Sequence, residues 1–230
     1  MGYKKVFVSD FDGTLYFQGQ EEEFHEEDFK AIADFQAKGY LFGICTGRMF
    51  DVVKTIIGEK IRLDFAITSS GAAVVRGDGE IISRDGIDRN VAEDIMDEYE
   101  RKGFQSRLHM SKEDRMINDV TFHTETAEAA AELADDINQK YSEFVAAFQN
   151  RTAVNVVPLG CSKGLAVRKV QKYFDVEKTY AIGDSATDFR LFRGADMTFT
   201  VPGAAPELAQ RADYTKATVA EALKIAEEDV

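Results

Sequence analysis

The chain has little of what redox, metal-thiolate or nucleic-acid chemistry requires. Its two cysteines, Cys45 and Cys161, stand far apart and form no CxxC pair. They read as reduced thiols with no disulfide or metal role. The three histidines, His25, His109 and His123, give no metal-ligand spacing. Basic residues are in deficit: 28 Lys and Arg against 41 Asp and Glu leave a formal net charge of −13 at pH 7. Nucleic-acid binding needs clustered cations to neutralise phosphates, and no such cluster occurs, so no nucleic-acid partner is expected. No apolar run approaches the ~20 residues that cross a bilayer, and no signal-peptide pattern leads the chain. The expectation is a cytoplasmic protein with no membrane partner. Low-complexity tracts are absent too. What is present is ordinary for a folded protein: 44% hydrophobic and 30% charged residues in a chain of 230, enough for one core with a smaller inserted unit.

Residues 6–9 form a short apolar strand that ends on a polar cluster, Asp10-Phe-Asp-Gly-Thr14. Helical periodicity over 26–38 stops at Gly39, a C-cap residue. A strand over 40–45 runs into Thr46-Gly47-Arg48; a helix over 49–57 and a strand over 65–68 follow. This alternation predicts a parallel sheet with helices on both faces. A hairpin, 73–75 with 80–83, then interrupts it. Next come a helix over 88–102, strands over 104–109 and 116–123, a helix over 127–140, and strands over 144–149 and 153–157. Helix–strand–strand repeated twice is an α+β pattern. It is expected as an inserted domain over 84–158, with 1–83 and 159–230 forming the core. The alternation resumes with a helix over 163–173, strands over 179–182 and 197–201, and a helix over 219–228. The acidic run over 21–28 reads as a solvated loop and helix N-terminus, where carboxylates suit the dipole.

In a doubly wound sheet, ligands bind where the carboxyl ends of the strands meet. Three predicted strand ends carry unusual polar sets: Asp10, Asp12 and Thr14; Thr46 and Arg48; Asp184 and Asp188. Such a gathering of carboxylates is expensive unless a cation neutralises it. All-oxygen ligands suit magnesium. Asp10 can attack phosphorus, giving an acyl phosphate that splits one hard hydrolysis into two easier steps. Asp12, two residues on, can protonate the departing alkoxide and later deprotonate water. Lys163, the Thr46 hydroxyl and the Gly47 amide can hold the phosphoryl oxygens. Arg48 can meet the substrate or a structural carboxylate. Arg107, His109, Arg115 and His123, on or beside the inserted strands, are further substrate-contact candidates.

Asp10-Phe-Asp-Gly-Thr-Leu15, Thr46-Gly-Arg48, Ser162-Lys-Gly164 and Gly183-Asp-Ser-Ala-Thr-Asp188 together resemble the four motifs of haloacid dehalogenase (HAD) superfamily hydrolases. The large insertion between the second and third motifs is similar to the Cof-type and sucrose-phosphatase-like branches. The resemblance implies a Rossmann-like, HAD-like α/β core with an inserted α+β cap, and a phosphatase acting on a small phosphorylated metabolite such as a sugar phosphate. It implies Asp10 as nucleophile, Asp12 as acid and base, and Thr46 and Lys163 as phosphate holders. Magnesium would be bound by the Asp10 and Asp184 side chains and the Asp12 carbonyl, with Asp188 close by. Two positions depart from the pattern: Thr187 and Ser70 stand where that branch commonly has Asn. A carboxylic acid at position 12 fits ester hydrolysis. A phosphomutase of the same superfamily, a phosphorylatable receiver-like signalling domain and a non-catalytic phosphometabolite sensor are the competing readings.

Overall fold

The computed structural model describes residues 4–110 and 115–229. Residues 1–3 and 230 of the expected core and 111–114 of the expected insertion lie outside them. The first strand, β1 (Lys5–Asp10), is buried along its whole length. Helix α1 (Glu26–Ala37) leads to β2 (Leu41–Cys45), and α2 (Phe50–Ile57) leads to β3 (Phe65–Thr68). The hairpin of β4 (Ala73–Arg76) and β5 (Ile81–Arg84) follows. Helix α3 (Arg89–Arg101), β6 (Gln105–Met110), β7 (Ile117–His123), α4 (Ala127–Lys140), β8 (Val145–Asn150) and β9 (Ala153–Pro158) make up the insertion. The chain then continues through α5 (Lys163–Phe174), β10 (Lys178–Gly183), α6 (Phe189–Phe192), β11 (Met197–Thr200), α7 (Pro206–Ala209), β12 (Tyr214–Thr215) and α8 (Val219–Glu228).

The main sheet has the order β12-β11-β10-β1-β2-β3-β4-β5. From β12 to β3 every pairing is parallel; β4 and β5 add antiparallel at one edge. The hairpin expected from the sequence lies on the core sheet, with β4 paired to β3 from Phe65–Arg76 to Thr68–Ala73. Strands β2 and β10 flank β1 on opposite sides, so the strand order reverses at β1. That reversal opens a crevice beyond the carboxyl ends of these strands.

Alternate β1 side chains serve opposite faces, as a two-residue period requires. Phe7 lies in the layer with Ile32 and Phe35 of α1, Val53 of α2 and Leu223 of α8. Val6 and Val8 lie in the other layer, with Val167 and Val170 of α5 and Leu191 of α6. Ring centroids of Phe35, Phe42, Tyr180 and Phe199 sit 5.9–6.4 Å from that of Phe7. This aromatic cluster pins β1 at the centre of the sheet.

The insertion forms a second, antiparallel sheet, β6-β7-β9-β8. Ala92, Ile95 and Tyr99 of α3 and Leu133, Ala134 and Ile137 of α4 pack with Val120, Phe122, Val154 and Val156 of this sheet in a separate cluster. The other side chains of these strands, including His123, Asn155 and Phe148, fall on the opposite face by alternation. No helix of the described residues is long and apolar enough to cross a membrane.

Candidate active site

Asp10 is the last residue of β1 and lies in register with Cys45 of β2. Asp12 and Gly13 belong to the turn that follows. Gly13 has φ 88°, and a Cβ there would run into Asp184 Oδ2. Only glycine lets the β1 turn lie this close to the β10 turn. Thr46 leaves β2 with its amide donating to the Ile67 carbonyl at 2.9 Å. Its hydroxyl oxygen accepts from the Arg48 amide at 3.1 Å, which leaves the hydroxyl proton to be donated elsewhere.

Lys163 opens α5 behind its N-cap, Ser162, whose hydroxyl accepts from the Leu165 amide. The ammonium donates to Asp10 Oδ1 at 2.6 Å and to Asp188 Oδ1 at 2.7 Å. The Lys163 and Asp10 side chains are each 8% exposed, and that of Asp188 is 0%. Asp188 Oδ2 also accepts from the Asp184 and Ser185 amides and the Ser185 hydroxyl, at 3.0–3.2 Å. Both oxygens of Asp188 are therefore engaged, and it anchors the β10 turn as well as the lysine. The hydroxyls of Thr187 and Ser185 lie 2.8 Å apart, so Thr187 joins this turn.

Oxygens of Asp10, Asp184 and Asp188 all lie within 4.8 Å of one another. Burial, then the like charge of Asp188, push the Asp10 carboxyl well above its ordinary range, with Lys163 opposing. Burial and Asp188 raise Asp184 in the same way. Burial alone would lower Lys163, but Asp10 and Asp188 outweigh it and hold the ammonium well above its usual value. Three clustered carboxylates answered by one buried ammonium and a loose contact from the exposed Arg151 leave negative charge to balance. A hard, oxygen-seeking dication fits that donor set and that charge.

Asp10, Asp12, Thr46, Gly47, Lys163, Asp184 and Thr187 line one cavity of about 360 Å3. Arg48 and Asp188 are not among its lining residues. Arg48 instead grips the Asp12 carboxylate, with Nε at 3.1 and 2.9 Å from its two oxygens and Nη2 at 2.6 Å from Oδ1; Gln18 accepts a further bond at 2.9 Å. The carboxylate that Arg48 meets is thus that of the expected acid and base, Asp12. Ser70 also lines the cavity, in a turn where Ser69, Ser70 and Gly71 all have positive φ. The Ser69 and Ser70 amides donate to the Arg48 and Thr46 carbonyls, both at 3.1 Å, which clamps this strained turn onto the Thr46–Arg48 loop. Asn tolerates the left-handed region better than Ser, so the departure at Ser70 leaves a backbone held by its neighbours rather than by preference.

The inserted sheet closes the cavity with His123, Phe148, Asn150, Arg151, Thr152 and Asn155. Of the sequence candidates there, only His123 reaches it. His109 Nδ1 lies 2.7 Å from Asp119 Oδ1, and Arg107 and Arg115 do not line the cavity. Two lining residues are not among the sequence candidates: Arg151, which lies 3.3 Å from Asp184, and Arg190 of α6. A tight turn between β8 and β9 signals the first; nothing in the spacing signals the second.

Residues 3–229 match the sucrose-6F-phosphate phosphohydrolase family. The phosphoglycolate phosphatase of Sulfurisphaera tokodaii is 27% identical over 204 residues, which cover 88% of this chain and 83% of that one. A haloacid dehalogenase-like hydrolase from B. subtilis superposes with a TM-score of 0.85 at 16% identity, over 98% of this chain and 99% of the other. A HAD subclass IIB sugar phosphatase gives 0.79 at 18%, over 96% and 98%. The chain has the fold of HAD-like hydrolases, belongs to the sucrose-6F-phosphate phosphohydrolase family, and is a phosphoric monoester hydrolase.

Proposed function

We propose that the protein hydrolyses small phosphorylated metabolites, sugar phosphates foremost, through an aspartyl phosphate on Asp10 and with magnesium as cofactor. The observation that carries this reading is Asp10 itself: buried at a strand end, bonded to Lys163, and facing a cavity shared with Thr46 and Gly47. The phosphoglycolate and sugar phosphatases among its relatives act, by their names, on small phosphomonoesters.

An Asp10 oxygen attacks phosphorus and the ester oxygen departs, taking a proton from the Asp12 carboxyl. Lys163, the Thr46 hydroxyl and the Gly47 amide hold the phosphoryl oxygens while charge shifts among them. The Asp12 carboxylate then takes a proton from water, whose oxygen attacks phosphorus. Asp10 leaves as carboxylate and inorganic phosphate is released. Arg48 orients Asp12 for both transfers. Asp10, Asp184 and the Asp12 carbonyl would hold the magnesium ion, which supplies positive charge beside the transferring group. Residues 84–158 act as a cap that selects the leaving group and restricts water.

Phosphate release from p-nitrophenyl phosphate tests this reading. The wild-type protein is expected to turn over with magnesium and to stop with chelator, and folded Asp10→Asn is expected to be inactive. Equal turnover by wild type and Asp10→Asn would overturn the mechanism.

A further inference from the structure

Arg190 is a guanidinium placed at a cavity without an acid to answer it. It is partly buried, and among the described residues it makes no ion pair. Its guanidinium carbon lies 3.8 Å from the centroid of the Phe148 ring on the inserted sheet. Stacking satisfies the flat face of a guanidinium but leaves its N–H edge free, in the geometry that forks a carboxylate or phosphate. Burial, and then the like charge of Arg193, lower its pKa, so no nearby carboxylate compensates the cost of desolvating this cation.

Arg151 reaches the same cavity from the β8–β9 turn. Its side chain is 73% exposed and its single contact with Asp184, at 3.3 Å, is a loose one. An exposed pair of this kind contributes little, and Arg151 can exchange Asp184 for another anion at small cost. Lys163, by contrast, already has two buried carboxylate partners, Asp10 and Asp188, and its remaining donor belongs to the strand-end side of the cavity. The charges of the cavity therefore divide: carboxylates and Lys163 lie at the strand ends, and guanidiniums with the neutral Asn150 and Asn155 lie toward the cap.

We infer that the leaving group of the physiological substrate carries a second anionic group, a carboxylate or a second phosphate, bound by Arg190 and Arg151. The inference rests on the phosphatase reading and narrows its substrate class from phosphomonoesters in general to small acidic ones. Arg190 is a specificity-determining residue in this scheme and takes no part in the bond exchange.

The test is a ratio of kcat/KM values within matched pairs. Phosphoglycolate against hydroxyethyl phosphate exchanges a carboxylate for a neutral alcohol; a sugar bisphosphate against the matching monophosphate adds a second phosphate. Wild type is expected to favour the more anionic member of one pair by about 10- to 100-fold, the range of a charge-assisted hydrogen bond. A preference in the first pair identifies a carboxylate, and in the second a phosphate. Arg190→Gln should collapse that ratio, Arg190→Lys should keep part of it, and Arg193→Gln, an exposed neighbour outside the cavity, should preserve it. A role only in holding Phe148 would lower both members of a pair equally and leave the ratio intact. Should Arg190→Gln not fold, Arg151→Gln reads the same ratio. Turnover of p-nitrophenyl phosphate with no preference in either pair, or with a preference indifferent to both arginines, would overturn this inference and spare the phosphatase reading. No turnover of any ester would overturn both.

Discussion

Lys163 is 8% exposed and shared between two carboxylates, 2.6 and 2.7 Å away. Removing one partner of a buried ionic cluster leaves uncompensated charge, typically a loss of about 3–5 kcal/mol. Lys163→Met, which keeps most of the aliphatic stem, should therefore lower the unfolding free energy by that order, and the urea midpoint with it, in the presence of chelator. It should also abolish phosphate release. An unchanged midpoint would mean that the lysine does not hold Asp10 and Asp188 together. At this scale much of the site was legible. Asp10, Thr46 and Asp184 end or follow buried strands, where a polar residue demands a reason. Sequence spacing could not say where Arg48 points, because it carries no side-chain direction. Spacing marks Arg151 only as a turn residue and Arg190 not at all: their meaning comes from the inserted sheet folding back over the core.

Helices α1 and α8 are tied through one buried acid. Asp28, in the first turn of α1, accepts from the Ala220 amide at 2.7 Å across 192 residues, while its Oδ2 has no partner. Burial pushes its pKa up to about 6. An unfolded aspartate titrates near ~3.9. Between these values the folded protein keeps a proton that the unfolded chain has lost. Asp28 therefore removes stability as pH rises through that window, and the whole cost remains above it. Asp28→Asn keeps an acceptor for Ala220 and removes the buried charge. It should raise unfolding free energy by about 1–2 kcal/mol at about pH 8 and flatten its fall between about pH 4 and pH 6. A stability curve parallel to that of wild type would show that Asp28 does not titrate in this way. Long elements were readable from periodicity: 26–38 predicted α1 and 127–140 predicted α4. The four-residue α6 and α7 and the two-residue β12 are too short to show a period and went unseen. The turn at Ser69–Gly71 was missed for another reason: its positive φ values are imposed by bonds to the Thr46–Arg48 loop, not by its own residues.

For the molecule as a whole, the two sheets perform different parts of one task. The main sheet reverses its strand order at β1 and so gathers Asp10, Thr46 and Asp184 from three strand ends. The inserted sheet packs its helices on one face and lends the other face to the cavity. The change from strand–helix alternation to paired helix–strand–strand units made this plan visible in sequence. The cavity between the sheets was not visible, because it depends on which face of the inserted sheet the helices cover. The proposed chemistry turns on a covalent bond between phosphorus and one side chain, which can be looked for directly. Quenching the enzyme during turnover and treating it with borohydride reduces an aspartyl phosphate to homoserine, which peptide mass spectrometry locates. Homoserine should be found at residue 10 when substrate and magnesium are both present, and not when either is withheld. Steady release of phosphate with residue 10 unmodified, or with homoserine at another position, would contradict attack by Asp10.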